Sequence, residues 1–95
     1  MYARVTNSQL VSGKADEAVA IWRDKLAPVM KQAKGFKGAY IVGDRNTGKG
    51  VTITLWETEA DANAMNASFA QSIGLFEGLF AAQPEVNQYE VLLQV

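Results

Sequence analysis

Tyr2 to Asn7 alternates in character, with Ala3, Val5 and Asn7 on one side and Tyr2, Arg4 and Thr6 on the other, which predicts a first strand. After the break at Ser12-Gly13, apolar residues recur at Ala15, Ala18, Val19, Trp22, Leu26, Val29, Met30 and Ala33. Spacings of three and four describe one face of a helix. Asp16 and Glu17 open that helix, and Lys31 and Lys34 close it, in keeping with the helix dipole. Pro28 interrupts the pattern and predicts a kink near Asp24 to Pro28, while Gly35 reads as a left-handed cap.

Gly38 to Gly43 and Val51 to Trp56 are rich in β-branched and aromatic residues and predict two strands. The polar, glycine-bearing run from Asp44 to Gly50 joins them as a hairpin loop. Thr58 before Glu59 and Asp61 is a helix start, and the second helix runs from Ala60 to about Ala70 with Ala62, Met65 and Phe69 inward. Gly74 and Gly78 set off Ile73 to Ala82 as a separate helical piece ending at Pro84. Asn87 to Val95 predicts a last strand with Tyr89, Val91, Leu93 and Val95 on one face. The order is β-α-β-β-α-β, an α+β protomer of the ferredoxin-like type with a four-stranded antiparallel sheet and one domain over residues 1–95.

Two helices cover one face of such a sheet, so the other face should be polar if it met water. Here Val51, Ile53 and Leu55 share one side of the third strand, the second strand is apolar on both sides, and the last strand carries Leu92 opposite its Tyr-Val-Leu-Val row. A semi-apolar uncovered face in a chain of 95 residues predicts a symmetric homodimer through sheet-to-sheet packing.

Composition narrows the chemistry. Hydrophobic residues make up 48% and charged residues 20%, as in a soluble globular domain. A net charge of −1 gives no reason to expect nucleic acid or an anionic membrane as a partner. The absence of cysteine excludes disulfides and thiolate sites, and the absence of histidine removes the commonest general base and metal ligand. No metal and no cofactor are expected. The first ten residues lack the pattern of a signal peptide, and no apolar run approaches the ~20 residues of a membrane span, so the expected location is the cytoplasm. Gly43 to Lys49 fits a G-x-x-x-x-G-K spacing, but Gly50 stands where Ser or Thr is needed and a strand follows, so this is a turn.

Taken together, GFKGAYIVGD, the polar turn, VTITLWETEADANA and LFAAQPEVNQYEVLLQV resemble the antibiotic biosynthesis monooxygenase family. The resemblance implies the dimeric α+β barrel fold. It also implies functions that include cofactor-independent oxygenation of phenols and quinols, haem degradation, and activities not yet assigned. Haem-degrading members use an asparagine on the first strand, a tryptophan ending the third strand and a histidine on the second helix. Asn7 and Trp56 match the first two, and Asn66 and its neighbours occupy the region of the third.

The resemblance makes Asn7 and Trp56 the candidate catalytic residues, the first as a donor to a developing oxyanion and the second as an indole wall with an N–H. Both have structural readings as well: Asn7 as a strand-end cap, Trp56 as a core seal. Trp22, Met65, Phe69 and Phe76 are candidates to line an aromatic pocket, and Tyr40, with Tyr89 and Arg4, to offer a proton donor and a cation there. The function expected is cofactor-independent oxygenation of a small phenol or quinol in a cavity between helices and sheet, where the protein supplies desolvation and orientation. The alternative is a small-molecule-binding or regulatory dimer without chemistry.

Overall fold

The computed structural model describes residues 1–95. Strand β1 (Tyr2–Gln9) leads to α1 (Ala15–Ile21), a π-helical turn (Trp22–Leu26) and α2 (Ala27–Lys31), which form one continuous helical rod. The hairpin β2 (Phe36–Gly43) and β3 (Lys49–Trp56) follows, then α3 (Glu59–Ser72), a 3-10 turn (Ile73–Phe76) and β4 (Glu85–Glu90). All neighbours in the sheet are antiparallel and the strand order is β2-β3-β1-β4, so this is the expected ferredoxin-like arrangement.

The kink expected near Pro28 takes the form of the π turn. Pro28 has no N–H to return to the preceding turn. The chain widens just before it, and Ala27 N–H reaches back five residues to Trp22 O. Ala18, Trp22, Leu26 and Met30, spaced four apart, are the buried residues of the rod. On a regular helix each step of four advances about 40° beyond a full turn. The wider π turn rotates the stripe back toward the sheet. Val19 and Val29, expected on the inner face, are 40% and 57% exposed and fall outside this stripe.

Gly35 ends the rod at φ +78°, as expected of a left-handed cap. A Cβ at that position would collide with the Asp61 carboxylate, so the turn docks closely on α3. Gly35 O also accepts from Glu57 N–H at 2.8 Å. Thr58 caps α3, its Oγ1 accepting from Asp61 N–H at 3.1 Å. Asp44 Oδ1 accepts from Asn46 N–H at 2.8 Å and organises the β2–β3 turn.

The last strand is shorter than its pattern suggests. Tyr2, where β1 begins, pairs with Glu90, so the β1–β4 ladder ends before Val91 to Val95. Only Val91 N–H finds a partner there, Met1 O at 2.8 Å, and Leu92 and Leu93 stand 87% and 80% exposed.

Register assigns the two sheet faces. Tyr2, Arg4, Thr6 and Ser8 of β1 lie level with Trp56, Thr54, Thr52 and Gly50 of β3, and this is the helix-covered face. Ala3, Val5 and Asn7 lie level with Leu55, Ile53 and Val51, and share the open face with Tyr40, Val42 and Tyr89. On the two central strands the covered side is therefore the more polar one. The core is correspondingly small: 13 of 95 residues are buried, around Trp22, Trp56, Phe76, Leu79 and Met65.

Candidate functional site

A cavity of about 420 Å³ opens between the N-terminal half of the helical rod, the covered face of the sheet and the segment after α3. Its walls follow from the local structure. The rod contributes Ala18, Val19 and Trp22. Phe69, near the end of α3, with Phe76 and Phe80 beyond it, forms the opposite wall. The floor is the polar row of the central strands, Thr6, Ser8 and Thr52, flanked by Ile41 of β2. Phe76 and Phe80 stack at a tilt, their centroids 5.5 Å apart. The bridge between Leu10 and Phe80 holds the post-helix segment against the end of β1.

The mouth is charged. Asp44 and Arg45 of the β2–β3 turn and Lys49, the first residue of β3, line it, and Arg45 reaches over to the first turn of α1. There its Nη2 and Nε donate to Asp16 Oδ1 at 2.8 and 3.1 Å. The hydrogen bond and the charge of Asp16 push the Arg45 pKa above its ordinary value. Both side chains are largely exposed, so the pair contributes little stability, but it fixes the turn against the helix. Ser8 Oγ donates to Gly50 O at a long 3.4 Å, which leaves Thr6, Ser8 and Thr52 as weakly engaged hydroxyls on an otherwise apolar wall.

Of the candidate pocket residues, Trp22, Phe69 and Phe76 lie on the wall of this one cavity. Met65 is 7% exposed and packs in the core rather than on the cavity wall. Tyr40 lies on the open face, 64% exposed, so the expectation that it lines the pocket is corrected. Tyr89 lies on that same face.

Asn7 is corrected in the same way. It does share a face with Ala3 and Val5, but that face is the open one, and Asn7 is exposed between Val51 and Glu85. The strand repeat of two puts Thr6 and Ser8, not Asn7, over the cavity. Trp56 is on the covered side but is fully buried and is not among the residues that line this cavity. Its Nε1–H is taken by Thr54 Oγ1 at 2.9 Å, and Phe36 meets its ring edge-on at 5.4 Å. Among the wall residues missed from the sequence, Thr6 and Ser8 carried a signal in their alternation with Arg4. Phe80 carried none, because its position depends on the bridge to Leu10.

No group of three or more Asp or Glu residues comes together that could hold a metal ion, and no helix is long and apolar enough to cross a membrane.

Known proteins share this architecture. The heme-degrader MhuD from Mycobacterium tuberculosis, solved with two hemes bound in its active site, superposes with a TM-score of 0.75 at 16% identity, over 100% of this chain and 99% of that one. The monooxygenase from the gene ActVA-Orf6 of Streptomyces coelicolor, solved in complex with Nanaomycin D, gives 0.76 at 14% identity, over 99% and 89% of the two chains. At such identities the likeness is one of fold. In sequence, the chain is 31% identical over 94 residues to the uncharacterized protein Rv2557 of Mycobacterium tuberculosis, covering 96% of this chain. It spans only 41% of that relative's length. The model of the antibiotic biosynthesis monooxygenase family matches residues 1–72, three quarters of the sequence, from β1 through α3. With the fold and this match in agreement, the chain belongs to the antibiotic biosynthesis monooxygenase family.

Proposed function

We propose that this chain binds a small, flat aromatic in the cavity under Trp22 and oxygenates it without a cofactor. The observation that carries this reading is the wall itself: four aromatic rings, Trp22, Phe69, Phe76 and Phe80, around a space of about 420 Å³ with hydroxyls on one side. That combination suits a phenol or quinol, whose ring stacks on the aromatics and whose oxygens meet Thr6, Ser8 or Thr52. An electron-rich phenolate can itself reduce dioxygen. The protein then excludes water and holds the ring in one orientation.

Haem does not fit the residues present. The chain has no histidine or cysteine, and on α3 Asn66 stands in the region where the resemblance implies a histidine. Its Oδ1 is already the acceptor for Arg4 Nε. No step is therefore derived through haem.

The working unit is a homodimer paired through the open faces. Val5, Ile53, Leu55, Val42 and Tyr40 make that face apolar, and a core of nine buried hydrophobic residues is small for an independent domain. A soluble protein acting in the cytoplasm is the matching location.

A specific observation favours a second reading, ligand binding without chemistry. The inner wall carries hydroxyls but no carboxylate or amine, and the ionisable groups stand only at the mouth. Oxygen uptake with a panel of naphthoquinols and anthraquinols separates the two. Uptake that saturates with quinol and falls on Trp22→Ala supports the oxygenase. Tight binding with uptake no faster than in buffer leaves the binding module.

A further inference from the structure

The helical rod does not cover the whole sheet. Ala39 and Ile41 of β2 stand level with Thr54 and Thr52 of β3, on the side that faces the helices. Thr54 is 2% exposed, yet Ala39 beside it is exposed and Ile41 is 41% exposed. The margin of the helical cover therefore runs between β3 and β2, and β2 is an outermost strand of the sheet.

A second cavity, of about 370 Å³, occupies this strip as a groove between the rod and β2. Ala27 and Met30 line it from the rod, and Phe36, Ala39 and Ile41 from β2. Seven of its nine lining residues are hydrophobic, so its length suits a hydrocarbon rather than a polar chain. The polar two, Arg23 and Lys31, are exposed to solvent, and Arg23 donates to both carboxylate oxygens of Asp24 at 3.0 and 3.3 Å.

The groove is continuous with the aromatic cavity. Val19, Trp22 and Ile41 line both. Val19 on the rod and Ile41 on β2 are 40% and 41% exposed, and they make an apolar seam that leads from one space to the other. The hydroxyl floor lies away from that seam: Thr6 and Thr52 belong to β1 and β3, the two inner strands, whereas the groove follows the outer strand. A flat ring whose oxygen meets those hydroxyls has its opposite end toward the seam.

We propose that the ligand of the aromatic cavity carries an uncharged hydrocarbon arm opposite its phenolic oxygen, and that the groove beside β2 holds this arm. This rests on the reading of the cavity as an aromatic site. The arm covers apolar surface on Ala27, Met30, Phe36 and Ala39 that otherwise meets water, and its removal from water drives the binding. Trp22 borders both the ring and the arm, so head and tail are read by one fixed side chain.

The test is calorimetric titration of the full chain with 2-naphthol and with its 6-methyl, 6-ethyl, 6-propyl and 6-butyl derivatives, which carry oxygen and arm at opposite ends of the ring. Wild type should tighten by about two- to fourfold for each added carbon, the scale of one methylene leaving water. Ala39→Phe puts a ring into the groove at a residue that lines no part of the aromatic cavity. It should flatten the series and leave the affinity for 2-naphthol within about twofold. Ala27→Phe fills the groove from the rod, with the same expected result, and carries the test if the first variant does not fold. A flat series in wild type overturns the proposal while the aromatic cavity stands. If that flat series becomes graded in Leu92→Ser/Leu93→Ser, the exposed tail of a second copy occupies the groove, and the proposal is equally overturned. Gains per carbon that survive in a folded groove-filling variant place the arm elsewhere and overturn it too. If no member of the series binds wild type, the aromatic reading of the cavity fails, and this inference fails with it.

Discussion

At the scale of single residues, side-chain direction decides more than residue type. Asn7 and Thr6 are neighbours in sequence, yet one meets the open face and the other the cavity, because a strand turns each successive side chain over. Asn7→Ala should therefore leave the affinity of an aromatic probe unchanged in a fluorescence titration. Trp22→Ala should weaken binding by tenfold or more and destabilise the fold by about 3–5 kcal/mol, since it enlarges a cavity and removes core volume. Trp56 is a polar problem as much as a packing one. Its indole N–H depends on Thr54 Oγ1, and both residues are buried. Thr54→Val keeps the shape but strands that donor. Urea denaturation should show a loss of about 1–3 kcal/mol, more than Thr52→Val, whose hydroxyl faces the cavity.

At the scale of elements, two junctions set the site's geometry. The π turn before Pro28 keeps Trp22 and Leu26 on the same inner stripe as Ala18 and Met30, so the rod can both pack and wall a cavity. The Gly35 turn fixes the far end of the rod against the start of α3. Gly35→Ala faces both a left-handed backbone and a collision with Asp61. It should cost about 1–2 kcal/mol from the backbone alone, with the collision on top. In thermal melts Gly35→Ala/Asp61→Ala, which leaves only the Cβ of residue 61 at 2.9 Å, should recover most of the collision part and none of the backbone part. Both junctions were legible in the sequence, Pro28 as a break in the apolar pattern and Gly35 as a cap. The π form was not legible, because it depends on which carbonyl the next free N–H finds.

At the scale of the whole molecule, the distribution of apolar surface is inverted relative to a lone α+β domain. The central strands turn Arg4, Thr6, Thr52 and Thr54 toward the helices and Val5, Val51, Ile53 and Leu55 away from them. A polar covered face suits a ligand site, and an apolar open face suits a second sheet. Val42→Asp with Ile53→Lys, both on the open face, should shift the protein to monomer in sedimentation velocity while circular dichroism keeps its helical signal. A wild-type protein that sediments as a monomer at micromolar concentration would refute the homodimer directly.

The amino-acid sequence by itself determined the element order, the caps, the hairpin and the family, because each depends on local periodicity or on a residue whose backbone freedom is special, as at Pro28, Gly35 and Thr58. It also singled out Trp22, Phe69 and Phe76, since helical spacing puts large rings on inner faces. Only the tertiary structure decided which side of the sheet the helices cover, and with it the fate of Asn7 and Tyr40. Alternation separates two faces of a strand but does not say which one is inside. The end of β4 was likewise a matter of partnership: Val91 to Val95 has the composition of a strand, but β1 has no residue left to pair with it. The setting of Arg4, against Asn66 and Phe69, depends on contacts 62 and 65 positions along the chain, and no local pattern carries information over that distance.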